Sequence, residues 1–214
     1  MRGLFKALLW FAGIFGVIAG ILRATILDVW TIPDDDPVFN ASIMPTLEPG
    51  DVVIMRRGGT PGFADLVRCT HPEEPGRYVV GRIFGEPGDQ VYADGHTVKI
   101  NGMATRTERG CTDARIEVPD PISGEPVELN CGIEEIGGTW YMRAQGSGPR
   151  TTLSKLETEV TDGNVFLVSD NRYHHYDSQD FGAVPLESCT QRIIFRLWSK
   201  NGWSDVKKRM TVVR

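Results

Sequence analysis

The sequence has no excess of positive charge: 23 Lys and Arg stand against 28 Asp and Glu, a net charge of −5. That leaves no basic surface of the kind nucleic acid demands, and no nucleic-acid partner is expected. There is no internal repeat, no heptad run and no low-complexity tract. Repeat arrays and coiled coils are thereby excluded. No CxxC spacing occurs, and the adjacent His174 and His175 alone are a weak metal signal, so neither a metal nor another cofactor is expected. Lysine is scarce, at Lys6, Lys99, Lys155, Lys200, Lys207 and Lys208.

What is present points to a β-rich body behind an anchor. Hydrophobic residues make up 41 % of the chain, which excludes disorder throughout. The 24 glycines and 13 prolines favour short strands joined by turns, with little regular helix beyond the N-terminus. From Ala7 to Leu22 no residue is charged. Extended past Arg23, the run suits a hydrocarbon core roughly 30 Å thick, with Arg23 snorkelling. A span over 5–27 is expected. Arg2 and Lys6 on one side and Asp28, Asp34, Asp35 and Asp36 on the other set the N-terminus inside and the body extracytoplasmic. A cleaved signal peptide is the competing reading, but no clean small-x-small site follows the run.

Strands are expected at Val52–Arg57, Asp65–Thr70, Tyr78–Phe84, Gln90–Ala93, Thr97–Ile100, Val165–Val168 and Ile193–Trp198. Asp94-Gly95 and Asn101-Gly102 are hairpin signals. Residues 103–159 are polar and rich in Gly and Pro, and read as an inserted lobe. The organisation is thus a tail (1–4), an anchor (5–27), a core in two parts (28–102 and 160–214) and the insertion. Four cysteines allow three full pairings. Cys111 and Cys131 flank one polar stretch and are paired first, with Cys189 expected in the core.

Three blocks then stand in order: Ser42-Ile43-Met44-Pro45-Thr46-Leu47 with Gly50-Asp51; Gly81-Arg82-Ile83-Phe84-Gly85-Glu86-Pro87-Gly88-Asp89; and Ser169-Asp170-Asn171-Arg172, continuing to Asp177-Ser178. Behind an apolar anchor, this order resembles the type I signal peptidases. The likeness covers the anchor and both halves of the core and is weak across 103–159.

The resemblance implies a mainly β fold: an antiparallel β core, an inserted smaller β lobe and one N-terminal transmembrane helix. It implies a membrane-bound serine endopeptidase at the inner membrane, with its body on the periplasmic side, acting on signal peptides of exported preproteins. The nucleophile falls on Ser42. Ile43, Met44 and Pro45 would line the substrate groove, and an extended peptide would add beside Tyr78, Val79 and Val80. Asn40, two residues before the serine, would help bind the oxyanion. Arg82 would pair with Asp170.

The departures matter as much. The family's lysine base sits where this chain has Gly81, and Arg82 cannot replace it because guanidinium stays protonated. Asp34 to Ala41 is extra chain. Gln179 removes the partner expected for Asp177. His175 stands where a lysine-contacting serine is common, which makes it the candidate base, with His174 the alternative if the register differs by one. Asp177 would orient the ring. The competing functions are an inactive homologue that binds substrate or assists assembly, a self-cleaving serine/lysine regulator, a scaffold, and a thiol nucleophile at Cys69 beside His71. The missing lysine disfavours the regulator, and the intact Ser42 block disfavours the scaffold.

Overall fold

The computed structural model describes residues 2–94, 97–146 and 155–213. The chain opens with helix α1 (Arg2–Thr25), strand β1 (Leu27–Thr31) and short helix α2 (Pro37–Ser42). Then come β2 (Val52–Arg57), β3 (Leu66–Thr70), β4 (Tyr78–Gly85), β5 (Gln90–Asp94), β6 (Thr97–Ile100) and β7 (Met103–Ala104). Three strands form the middle of the chain: β8 (Arg106–Pro119), β9 (Pro126–Ile136) and β10 (Thr139–Gln145). The last part holds β11 (Leu156–Glu159), β12 (Asn164–Val168), α3 (Ser178–Phe181), β13 (Val184–Pro185), a 3₁₀ turn (Leu186–Ser188), β14 (Gln191–Trp198) and β15 (Thr211–Val212). The fold is mainly β and its named strands pair antiparallel, as the resemblance implied, while the isolated bridge between Ala144 and Asn171 is parallel.

The main sheet runs β1-β2-β14-β3-β4-β12-β13, with β15 beside β14. Its strands come from both ends of the chain: β1 and β2 flank the first sequence block, and β12 leads into the third. A second sheet, β11-β5-β6-β7, and a third, β10-β9-β8, carry the middle of the chain. β11 returns to pair with β5, Leu156 opposite Ala93, so the smaller sheets begin at Gln90. The β5–β6 hairpin closes with Asp94 opposite Thr97, while Gly95 of the expected turn lies outside the described residues.

The anchor is apolar on all sides. Leu8–Thr25 has a mean hydropathy of 1.8, and none of it is buried against the body. A solvated helix of this composition would leave its whole apolar surface in water, so the segment fits a bilayer. The body packs around several apolar clusters. Ile32, Phe39, Ile43, Leu47, Val53, Leu66, Val80 and Ile193 form the one that seats α2 on the sheet. Val67, Cys69, Val79, Ile83, Leu167 and Cys189 fill the opposite face.

Two disulfides close the fold. Cys111–Cys131 staples β8 to β9, as expected from the sequence. Cys189 is buried, and it is bonded to Cys69, tying β3 to the approach of β14 across 120 residues. This pairing removes Cys69 as a thiol nucleophile.

Candidate active site

Local chemistry explains why a helix stands before Ser42. Asp36 is the N-cap: its Oδ1 accepts from Phe39 N at 3.0 Å, and Pro37 occupies the first turn, where a missing N–H costs nothing. The extra chain after Pro33 therefore builds α2. Its last residue is Ser42, 1 % exposed. The Ser42 hydroxyl donates to Phe39 O at 2.8 Å, a serine's back-bond to its own helix.

Arg77 fixes this helix from outside. Its Nε and Nη2 donate to Asp36 Oδ2 at 3.0 and 2.6 Å, its Nη1 donates to Glu74 at 2.7 Å, and its guanidinium lies 4.9 Å over the Tyr176 ring. Tyr176 adjoins His175, so one arginine spans the serine helix and the histidine segment. Arg77→Ala should cost about 1 kcal/mol of stability, the scale of a lost cap and a part-exposed ion pair. It should lower activity further by loosening α2. Thermal melting beside a cleavage assay checks both effects.

The third block grips Ser42 through its backbone. Asn171 N donates to Ser42 O at 3.0 Å, and Asn171 Nδ2 donates to Ala41 O at 2.9 Å. Asn171 Oδ1 in turn accepts from Tyr173 N and His174 N. Next to it, Asp170 accepts from Arg82 Nε and Nη2 at 2.7 and 3.0 Å, and both side chains are 1 % exposed. Arg82 also lies 4.2 Å over the Tyr141 ring. All three sequence blocks thus meet within a few residues of Ser42.

The other candidate residues take varied places. Ile43 and Val80 share the apolar cluster under α2, and Met44 packs half-buried against Ala41, Val118 and Leu129. Pro45 follows a cis bond. Val79 faces the opposite cluster. Tyr78 is 45 % exposed, with Arg68 over its ring. β12 pairs with β4 only from Arg82 to Gly85, so on that side Tyr78–Gly81 carry no strand partner among the described residues. Asn40 is 92 % buried (8 % exposed), and its Oδ1 accepts no hydrogen bond. At Gly81 an added Cβ would stand 3.2 Å from Leu167 Cβ and 3.4 Å from Val168 O. β12 therefore occupies the room that a lysine side chain would need at its root.

His175 is buried and turned to α3. Its Nδ1 lies 2.7 Å from Asp180 Oδ2 and 3.9 Å from Asp177 Oδ1. Asp177 caps α3, accepting from Gln179 N, and also accepts from Ser169 N at 2.7 Å. Asp180 returns a bond to Asp177 N. The nearer carboxylate to the ring is thus Asp180, which sequence reasoning missed. The Asp-x-x-Asp spacing of a capping box was the available signal. His175, Asp177 and Asp180 lie within 4.8 Å of one another, but their carboxylates are committed to backbone N–H groups, and this set carries no metal reading. His174 points elsewhere, its Nε2 4.0 Å from Asp120 on the β8–β9 hairpin.

A second buried network holds the lobe to the site. Arg172 donates to Glu134 at 3.0 Å, to Tyr141 at 3.0 Å and to Ser169 O. Tyr141 and Thr105 also donate to Glu134. Burial pushes the Glu134 carboxyl up, but Arg172 and Arg143 outweigh it and hold the group below its ordinary 4.5. A depressed carboxyl stabilises the fold above its unfolded value and loses that contribution as pH falls through the folded one. Wild type should therefore melt well above Glu134→Gln at pH values above about 4.5, with the gap closing in stronger acid. Melting curves across pH 2–7 give the comparison.

The chain belongs to the signal peptidase S26 family, whose model matches residues 5–198. Signal peptidase I of Bacillus caldolyticus is 24 % identical over 73 % of this chain and 75 % of its own. A probable signal peptidase I-1 of Synechocystis is 23 % identical over 89 % and 81 %. Signal peptidase I of Streptococcus pneumoniae is 23 % identical over 87 % and 91 %. A crystal structure of a signal peptidase I from Enterococcus faecalis aligns with a TM-score of 0.35 at 22 % identity, over 61 % of this chain and 93 % of that one.

Proposed function

We propose that this chain is a membrane-anchored serine endopeptidase that removes signal peptides from exported preproteins, with Ser42 as nucleophile and His175 as base. The observation that carries the reading is the convergence of the three blocks on Ser42 in a family of signal peptidases. Asp180 on His175 Nδ1 leaves Nε2 as the proton-accepting atom. This is the division of labour between carboxylate and imidazole in a serine triad. The Ser42 hydroxyl leaves Phe39 O, gives its proton to His175 and attacks the scissile carbonyl. The imidazolium then protonates the departing amine, and water hydrolyses the acyl-enzyme by the same route reversed. Asn40 Nδ2 donates to the oxyanion. The peptide lies beside Tyr78–Val80, on the side that carries no strand partner, as an added strand.

The body lies on the extracytoplasmic side. The reading is supported by the two disulfides, which form and persist in oxidising compartments, and by the aspartates that follow the anchor. Protease added to spheroplasts should digest the body, and full protection would reverse the topology.

A second reading has its own observation. Gly81 leaves no lysine, β12 crowds that position, and the Ser42 hydroxyl is engaged with its own helix. A site of this kind suits a homologue that holds signal peptides without cutting them. Full-length protein incubated with a signal-peptide substrate separates the two. Cleavage after a small residue supports the peptidase, and binding without cleavage supports the holdase.

A further inference from the structure

At the point where the anchor meets the body, two arginines face each other. β14 pairs with β2 so that Arg192 is the direct partner of Arg56, and Arg56 in turn stands opposite Leu27 at the start of β1. Like charges directly opposite on antiparallel strands repel. Asp65 offsets only part of this, taking Arg192 Nη1 at 3.0 and 3.1 Å, while Arg56 is exposed and has no carboxylate partner among the described residues. The turn that follows is bare: Gly58 and Gly59 both have φ +77, and a Cβ on Gly59 would come within 3.6 Å of Arg56 Nη2. The guanidinium therefore lies beside a turn with no side chains. Arg56, Arg192, Gly58, Gly59, Thr60 and Thr190 line a cavity of about 50 Å³ that opens into a larger cleft, where Glu187 lies.

The depth of this cavity is set by the anchor. The apolar span ends at Thr25, and Arg56 is level with Leu27, two residues on. Two residues of chain cover at most about 6–7 Å, within the thickness of one headgroup layer. Arg57 holds this junction by donating to Leu27 O at 3.0 Å and to Arg23 O. We infer that the Arg56–Arg192 cavity binds the phosphate of an anionic lipid headgroup. The phosphate sits between the two guanidinium groups, with the Thr60 and Thr190 hydroxyls as further donors. It supplies the negative charge this strand pair lacks, and it fixes the body's rotation about the anchor. The inference rests on the anchor reading alone and stands whether or not Ser42 cuts peptides.

The test uses the full chain in detergent micelles, titrated with dihexanoyl phosphatidylglycerol, dihexanoyl phosphatidylcholine or inorganic phosphate while melting is followed. The phosphatidylglycerol should raise the melting temperature saturably and more than the choline lipid. Arg56→Gln, an exposed change that leaves the core intact, should weaken that binding about fivefold, with Thr60→Val weakening it less. An equal response to inorganic phosphate would overturn the lipid as the source. Equal binding by Arg56→Gln and wild type, or no binding at all, would overturn the site.

Discussion

Ser42→Ala should abolish cleavage of a signal-peptide substrate, by at least 10³-fold, while leaving the fold in place. The two halves of this expectation have separate causes. Removing a serine nucleophile removes the covalent route itself, and in comparable hydrolases costs on the order of 10⁶ in kcat. The structural cost is small, because the hydroxyl makes one bond, to Phe39 O, worth about 1 kcal/mol. Asn171 holds the residue through its backbone carbonyl, which alanine keeps. A cleavage assay with a parallel melting curve checks both. Equal cutting by the variant would remove Ser42 from the chemistry.

The largest stability effect should come from Asp170→Ala. Arg82 and Asp170 are both 1 % exposed and joined at two points. Removing the carboxylate leaves a buried guanidinium that keeps contacts such as the hydrogen bond to Ala64 O and the Tyr141 ring but loses this countercharge. Such a loss costs about 3–5 kcal/mol. For a body of this size that is a fall of about 6–20 °C in Tm. Arg82→Met combined with Asp170→Leu should recover much of it, because the penalty belongs to burying the guanidinium without this countercharge more than to the lost attraction. Calorimetry of the single and double variants decides the matter. A single variant as stable as wild type would mean the pair is dispensable.

The strands of the core were legible because they obey short-range rules. Val52–Arg57 ends at Gly58-Gly59, and β2 has those bounds. Gln90 to Ile100 alternates about Asp94-Gly95, and β5 and β6 pair across that point. The apolar run at 7–22 shows no helical face and gives an apolar helix with none buried against the body. The middle of the chain was harder. β8 and β9 form a long hairpin from a polar, Pro-bounded stretch, with register shifts after Thr107 and Gly110 that break the two-residue alternation. The β11–β5 pairing joins residues more than 60 apart, which no local pattern encodes.

At the site, the sequence blocks named Ser42, Arg82 and Asp170, and folding brings these blocks together. It did not name Arg77, whose role depends on how Asp36 and Tyr176 meet in space. It did not name Glu134 either, because its partner Arg172 lies 38 residues away. Nor does a glycine at position 81 reveal, in sequence, that β12 stands against it.

The central claim is that a histidine does the work of the absent lysine, and the pH dependence of kcat/KM for signal-peptide cleavage tests it most directly. Wild type, His175→Ala and His174→Ala are compared as full-length protein. Wild-type activity should rise with pH over the range in which the imidazole base becomes neutral. His175→Ala should lose about 10²–10⁴-fold and its pH dependence in that range, and His174→Ala should keep both. Cleavage by His175→Ala at the wild-type rate, with the same pH profile, would contradict the account.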